Sequence, residues 1–200
     1  ITYINDTQKT KLEHLNKIII YTITKYMTLD INARRNLELT EKLRDKNKKG
    51  TLLWVLDKTS TSMGGRLLRR WISDPLIDEN EIESRLEAVK ELKENIILRG
   101  ELKDKLKGVY DIERLAGKIS YGSANARELN SLKASSSKLP EIKQLLENAN
   151  SNMLKYLYAN LDVLADINAL IENGNVDNPP ISIEKAGIIK MGYNSEIEKK

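Results

Sequence analysis

The sequence predicts a mainly helical protein, and three observations support this fold class. Between residues 32 and 174, apolar residues recur at intervals of three and four, as expected where one face of a helix is buried. Residues that commonly cap helices, such as Thr51 and Asp78, precede several of these segments. Charged residues make up 31% of the chain and apolar residues 40%, which is ordinary for a helical domain in water. Two hundred residues suit one domain, or one domain and part of a neighbour.

The secondary structure of the first 31 residues is the least determined by the pattern. Residues 18–23 are β-branched or aromatic, which favours a strand, and residues 26–31 would pair with them as a small β-hairpin. The alternative is one long helix that reaches Met27. Its apolar stripe would consist of Leu12, Leu15, Ile19 and Ile23. We expect the hairpin.

The next three predicted helices have start or stop signals. Asn32 is expected to cap a helix over residues 34–43, and Thr51 is expected to open the next helix. A third helix over residues 66–72 should stop before Pro75, because a proline pushes the residue before it out of the α region. The paired glycines that precede this third helix, Gly64 and Gly65, suggest a close backbone contact or a turn.

Longer apolar stripes predict the later helices. Asp78 has Glu81 three residues ahead, the spacing of a helix cap, and a stripe of Ile82, Leu86, Val89, Leu92 and Ile96 follows. Later stripes contain Ile112, Leu115, Ala116 and Ile119, then Leu129, Leu132 and Leu139, then Leu154, Leu157, Tyr158, Leu161 and Leu164. The turn-forming residues 174–180 mark a boundary, and residues 187–189 are expected to form a short strand beyond it.

Four short blocks of sequence occur in a fixed order across nearly the whole chain. They are RRNLEL from Arg34 with GGRLLRRW from Gly64, DIERLAG from Asp111 with NAREL from Asn125, LPEI from Leu139, and PP with GIIKMGYN from Pro179 and Gly187. Together these blocks resemble the core (lever) domain of the MutS family of DNA mismatch-repair proteins, closest to its bacterial branch. Each block alone is a weak signal, but four in order are specific.

The resemblance implies three regions. Residues 1–31 begin the core domain, residues 32–178 form the helical core or lever domain, and residues 179–200 lead into a truncated clamp domain. In this family the lever links a clamp, which grips the DNA backbone, to an ATPase domain. The first residue is not methionine and the last helix has no stop signal, so we expect the chain to be a segment of a longer protein.

The sequence lacks the motifs of a phosphate-binding loop and of the family's mismatch-reading module. The glycine pair before Arg66 has no lysine at the spacing of a phosphate-binding loop. The resemblance implies that mismatches are read by a phenylalanine that wedges a base step, and this chain contains no phenylalanine. His14, the single histidine, fits packing or surface exposure better than catalysis. We therefore expect no enzymatic activity and no catalytic, cofactor-binding or metal-binding residue in this chain. For the full-length parent, the resemblance implies an ATPase that uses ATP and magnesium.

Two sets of residues are candidates for function. The first is a packed hub that would relay ATP binding to the clamp. The same residues fit a purely structural core equally well. The hub contains Arg35, Asn36, Leu37, Glu38, Gly65, Arg66, Arg69 and Trp71. The second is a set of weak DNA-backbone contacts at Lys190, Lys199 and Lys200. The lysine-rich residues 46–49 fit a solvated linker better than a phosphate site.

The sequence favours a non-catalytic scaffold that couples a clamp to an ATPase domain. The alternatives are a fragment that binds the duplex DNA backbone without sequence preference, and an unrelated helical protein-interaction module. The resemblance implies a parent that acts on mismatched duplex DNA, forms a homodimer and works with a MutL-like partner. We expect a cytoplasmic location and no membrane contact, because the chain has no cysteine and no run near the ~18 apolar residues of a membrane helix.

Overall fold

The computed structural model describes residues 25–180 and 187–193, and these residues are mainly helical. In chain order the helices are α1 Ile31–Asn36, α2 Leu52–Leu56, α3 Ser62–Ser73, α4 Glu79–Glu94, α5 Ile96–Lys107, α6 Ile112–Ser120, α7 Ala126–Ser136, α8 Leu139–Leu145, α9 Asn152–Asn160 and α10 Ala165–Gly174. The predicted fold class is confirmed. The longest described helix, α4, has 16 residues, which corresponds to a length of about 24 Å.

Side-chain caps start several helices at the residues that the sequence predicted. The Thr51 hydroxyl accepts a hydrogen bond from the Trp54 N–H at 3.2 Å and begins α2. The Asp78 carboxylate accepts from the Glu81 N–H at 2.9 Å and begins α4. Each cap satisfies one of the N–H groups that the first turn of a helix leaves without a partner.

The N-terminal elements differ from the prediction. The first predicted strand, residues 18–23, lies outside the described residues. The second, residues 26–31, is not a hairpin strand, because Tyr26 forms an isolated antiparallel bridge with Leu76 and Ile31 already begins α1.

Helix α1 is shorter than predicted and starts at a different cap. Asp30, rather than Asn32, caps it by accepting a hydrogen bond from the Ala33 N–H. The helix ends at Asn36 instead of residue 43, because Glu38 has a φ of +45°. A right-handed helix cannot continue through that backbone conformation.

Helix α3 begins at Ser62, four residues before its predicted start, so both glycines lie inside its first turns. A Cβ added to Gly64 would lie 3.1 Å from the Thr61 hydroxyl oxygen, and one added to Gly65 would lie 3.3 Å from that of Thr59. The predicted close backbone contact or turn is therefore wrong, because both glycines lie within the helix and their near neighbours are side chains. The helix ends at Ser73, before Pro75, as expected.

In the part of the chain that the structure describes, two clusters of buried residues hold the helices together. The first joins α4 to the α8–α9 region and contains Ala88, Leu146, Ala149 and Leu154. The second joins α6, α7 and α10 and contains Leu115, Leu132 and Ile171. Helices α7 and α8 also contact each other, which links the two clusters.

The buried face of α4 shares only Leu92 with the predicted stripe. Leu86 and Val89 were expected to face the core, but they are 60% and 62% exposed, whereas Ala88 is buried. The reason is that α9 packs beside Ala88 and Leu92, which lie one turn apart on a neighbouring face.

Residues 187–193 return to the C-terminal end of α10. Asn175 forms an isolated antiparallel bridge with Ile189, so the predicted strand over residues 187–189 is reduced to a single bridged residue. The Lys190 N–H donates to the Gly174 carbonyl oxygen at 2.8 Å. None of the described helices combines the length and the apolar character needed to span a membrane.

Candidate functional site

Arg66, on the second turn of α3, makes the most connections among the predicted hub residues. Its Nη1 donates to Asp111 Oδ2 at 2.6 Å and its Nη2 donates to Asp111 Oδ1 at 2.8 Å. The same Nη2 donates to Glu113 Oε2 at 2.6 Å. Asp111 is also the cap of α6, since its Oδ1 accepts from the Arg114 N–H at 3.1 Å. One guanidinium therefore joins α3 to the start of α6.

The charges at this joint stabilise each other. The Arg66 guanidinium, assisted by the Arg114 N–H, lowers the pKa of Asp111 from 3.8 to about 2 against the opposing effect of burial. A two-pronged contact of this kind is among the stronger forms of ion pair. The Asp111 side chain is 19% exposed and that of Glu113 is 73% exposed, so Asp111 makes the better-shielded contact.

Trp71, near the end of α3, stacks against the next helix. The guanidinium carbon of Arg85, on α4, lies 3.8 Å from the centroid of the indole ring. This is the geometry of a cation–π contact, which attracts a positive charge to the face of the ring. The contact joins α3 to α4.

Helix α1 and the segment that precedes it are tied to the same corner. Arg34 Nη2 donates to Asp74 Oδ1 at 2.9 Å, and Arg34 Nε donates to the Leu29 carbonyl oxygen at 3.1 Å. The Met27 N–H donates to the Pro75 carbonyl oxygen at 2.8 Å. The α3–α4 corner is thus held by the contacts of Arg34 and Met27 as well as by the stacking of Arg85 on Trp71.

The other predicted hub residues do not gather around Arg66. Arg35, Asn36 and Leu37 are exposed at the end of α1 and just beyond it. Glu38 is half-buried, and its carboxylate accepts from the Leu43 N–H at 2.9 Å. Arg69 lies exposed on α3. The structure thus brings Gly65, Arg66 and Trp71 into interhelical or loop contacts, and a relay role for the remaining residues stays a prediction.

Lys190, the described member of the predicted DNA-contacting set, is engaged in an ion pair. Its Nζ donates to the carboxylate of Glu172 at 3.0 Å, and Lys133 Nζ lies 2.8 Å from the same carboxylate. Lys133 and Lys190 together lower the pKa of Glu172 from 4.5 to about 2. Lys190 would have to leave this pair to bind a phosphate. Lys199, Lys200 and His14 lie outside the described residues.

Sequence reasoning missed the partners of the hub. Asp111 carried a local signal, because it occupies a cap position, but Glu113 and Arg85 carried none. Arg66 and Asp111 are 45 residues apart, and helical periodicity contains no information on contacts across that distance.

A family model described as MutS domain III matches residues 32–200 of the chain. The chain belongs to the MutS family. The DNA mismatch repair protein MutS of Alkaliphilus oremlandii is 57% identical over 199 residues, which cover 100% of this chain and 23% of that protein. The proteins of the same name from Clostridium kluyveri and Halothermothrix orenii are 54% and 51% identical, again over 100% of this chain and over 23% and 22% of their own lengths.

This MutS segment spans less than a quarter of the length of the curated relatives that it matches. The predicted resemblance is confirmed, and so is its association with mismatch-repair proteins. Among the described residues, no group of three or more histidine, aspartate or glutamate side chains is arranged to hold a metal ion. What the site displays is a set of ion pairs and a stacked cation that position helices.

Proposed function

We propose that this segment is a non-catalytic connector that transmits conformational change between a DNA-gripping clamp and an ATPase domain of the full-length protein. The observation that supports the proposal is the Arg66 fork on Asp111 and Glu113. This fork couples α3 to α6, which lie in different parts of the chain. Coupling between distant sites requires an element with two arrangements that the two ligands favour differently.

The exposure of the joint fits such a role. The Arg66 side chain is 49% exposed, and ion pairs near water exchange partners at low cost. The first apolar cluster lies on other helices, and the second includes Leu115 of α6 but no residue of α3, so α3 can move relative to α6 while both clusters stay packed. A buried apolar contact in the same place would resist that rearrangement.

The full-length protein is proposed to have the properties that the family resemblance implies. It acts on mismatched duplex DNA, hydrolyses ATP with magnesium at a site outside this segment, forms a homodimer, works with a MutL-like partner and is cytoplasmic. The name shared by the relatives, DNA mismatch repair protein, supports the first of these properties. The boundaries near residues 31 and 178 belong to the same proposal.

The test uses the full-length protein carrying Arg66→Gln, with Arg44→Gln as the matched control at an exposed loop position. Mismatch binding without nucleotide should be unchanged in both variants. ATP-dependent formation of a sliding clamp, measured as release from open-ended but not end-blocked DNA, should slow roughly fivefold or more in Arg66→Gln. Asp111→Asn should reproduce the defect.

Normal clamp formation by Arg66→Gln, at unchanged stability, would show that the joint only holds the fold together. The alternative function, non-specific binding to the DNA backbone, has weaker support because Lys190 is engaged by Glu172.

A further inference from the structure

A groove between the α4–α5 corner and the α8–α9 connection has a charge opposite to that of the whole chain. Five carboxylates line it, and they belong to Glu87, Glu91, Glu94, Glu101 and Glu147. Among the described residues, Lys90 is the single lysine or arginine on its walls, whereas the net charge of the chain is +4. Its volume is about 1380 Å³. That exceeds the roughly 300–1,000 Å³ typical of small-molecule sites, so the groove is better suited to a segment of a protein.

Apolar side chains accompany the carboxylates. Ile96 and Ile97, in the first turn of α5, are 67% and 75% exposed. Leu98 and Leu145 also line the groove. Adjacent exposed isoleucines beside a concave surface are typical of an interaction site.

The groove walls are fixed in place. The Glu91 carboxylate, on α4, accepts hydrogen bonds from the N–H groups of Asn150 and Ser151, each at 2.7 Å, and so connects α4 to the start of α9. Burial raises the pKa of Glu91, but these N–H groups outweigh it and hold the pKa below its ordinary value. Arg99 Nη1 donates to the carbonyl oxygens of Leu92 and Lys93 and closes the α4–α5 corner. A preformed groove loses little conformational freedom when it binds.

The groove wall also contains a buried hydroxyl group. Ser151 is 8% exposed and lines the groove, and its side chain lies beside the Glu91 carboxylate, whose pKa it helps to lower.

We propose that this groove binds a basic amphipathic helix of another protein. Ile96 and Ile97 would contact the apolar face of that helix, and the carboxylates would contact its lysines and arginines. Nucleic acid does not fit, because the carboxylates repel phosphates. A second copy of this chain fits less well. Its candidate segment is α2, which has exposed apolar residues and follows the lysine-rich residues 46–49. This helix has only five residues and is too short to fill the groove.

The experiment measures the fluorescence anisotropy of a labelled 18-residue peptide of leucine and lysine, arranged with one apolar face and one basic face. The full-length protein is titrated into it at physiological salt, and a scrambled peptide of the same composition is the probe control. Ile97→Ala and Glu94→Gln should each weaken binding about fivefold or more. Leu86→Ala and Glu83→Gln, which change exposed α4 residues outside the groove, are the matched controls and should have no effect.

Several outcomes would overturn the proposal. One is the absence of binding, and another is equal binding of the scrambled peptide. A third is weakening by Glu83→Gln as large as that by Glu94→Gln, which would indicate general charge attraction. The last is self-association of the full-length protein that Ile97→Ala abolishes, which would make a second copy the occupant. Circular dichroism of Ile97→Ala should match the parent spectrum, because this side chain is mostly exposed.

Discussion

At the scale of single residues, Asp111 combines two functions that are usually separate. It caps α6 through the Arg114 N–H and anchors α3 through the two prongs of Arg66. Both interactions require the ionised carboxylate, so the start of α6 and the position of α3 depend on the same charge. A substitution at Asp111 therefore removes a helix cap and an interhelical contact together.

The first prediction concerns acid stability. The pKa of Asp111 is lowered to about 2 in the folded chain from an ordinary value of 3.8. Its contribution is therefore fully present above pH ~4 and is lost as the pH falls through 2. After allowance for solvent screening we expect about 1 kcal/mol. Urea denaturation should show Asp111→Asn less stable than the parent chain at pH 7, with the difference shrinking between pH 4 and 2.

Glu113→Gln is the comparison variant for this measurement, because the Glu113 carboxylate binds the same arginine but is mostly exposed. It should lose much less stability at pH 7. A difference between Asp111→Asn and the parent chain that stayed constant down to pH 2 would contradict the assignment of the shifted pKa.

At the scale of elements, the short helices depend on the polar residues at their ends. Thr51 is 1% exposed, and its hydroxyl accepts from the Trp54 N–H while donating to the Lys48 carbonyl oxygen at 2.7 Å. With five residues, α2 is below the length at which a helix is stable by itself. Its existence in the fold therefore rests on this cap and on the burial of Leu53.

The second prediction tests that dependence. Thr51→Val keeps the side-chain volume but removes both hydrogen bonds, so it should lower the free energy of unfolding by about 1–2 kcal/mol. Thr51→Ser keeps the hydroxyl and should cost less. Chemical denaturation of the two variants gives the comparison, and a larger loss in Thr51→Ser than in Thr51→Val would mean that the methyl group, not the cap, matters.

The third prediction concerns the return of residues 187–193 to α10. Lys190→Met removes the ion pair with Glu172 while keeping an apolar stem. The Lys190 N–H bond to Gly174 should then open more often, and hydrogen exchange at this amide should speed up severalfold. Lys155→Met, on α9, is the control and should leave this amide unchanged. Unaltered exchange in Lys190→Met would mean that the backbone bridge alone holds the segment.

At the scale of the whole molecule, the described residues form two small apolar clusters rather than one large core. They share no buried residue, and the joint between α3 and α6 lies outside the first of them. Substitutions in different clusters should therefore act independently, because coupling between substitutions falls away when they share no contacts.

The fourth prediction makes this quantitative. Leu154→Ala in the first cluster should cost about 2–5 kcal/mol, and Ile171→Val in the second about 0.5–1.5 kcal/mol. Urea denaturation of the double variant should give the sum of the two losses within about 0.5 kcal/mol. A larger deviation would show that the two clusters behave as one cooperative core.

The fifth prediction concerns DNA. In fluorescence anisotropy with the isolated chain, a duplex with one G·T mismatch should bind no better than a matched duplex. The reason is that the sequence contains no phenylalanine to wedge the weakened base step. Any binding should weaken steeply with salt, because only backbone contacts remain. A clear preference for the mismatch would overturn this account.

The sequence was sufficient for the fold class, for the caps at Thr51 and Asp78 and for the stop before Pro75, because these are local signals. It was insufficient for the end of α1. Glu38, two residues beyond that end, adopts a left-handed backbone conformation that a glutamate residue does not predict. It also assigned the wrong buried face to α4, since burial is decided by where α9 packs. At the candidate site it pointed to Arg66 but not to the partners that bind it.

The stacking of Arg85 on Trp71 has a consequence for optical spectroscopy. The chain contains two tryptophans, and the other, Trp54, is 50% exposed. Replacing Trp54 with tyrosine would leave one indole whose emission depends on a cation placed over its ring. The wavelength and intensity of that emission would then report, without any attached dye, when the corner between α3 and α4 opens.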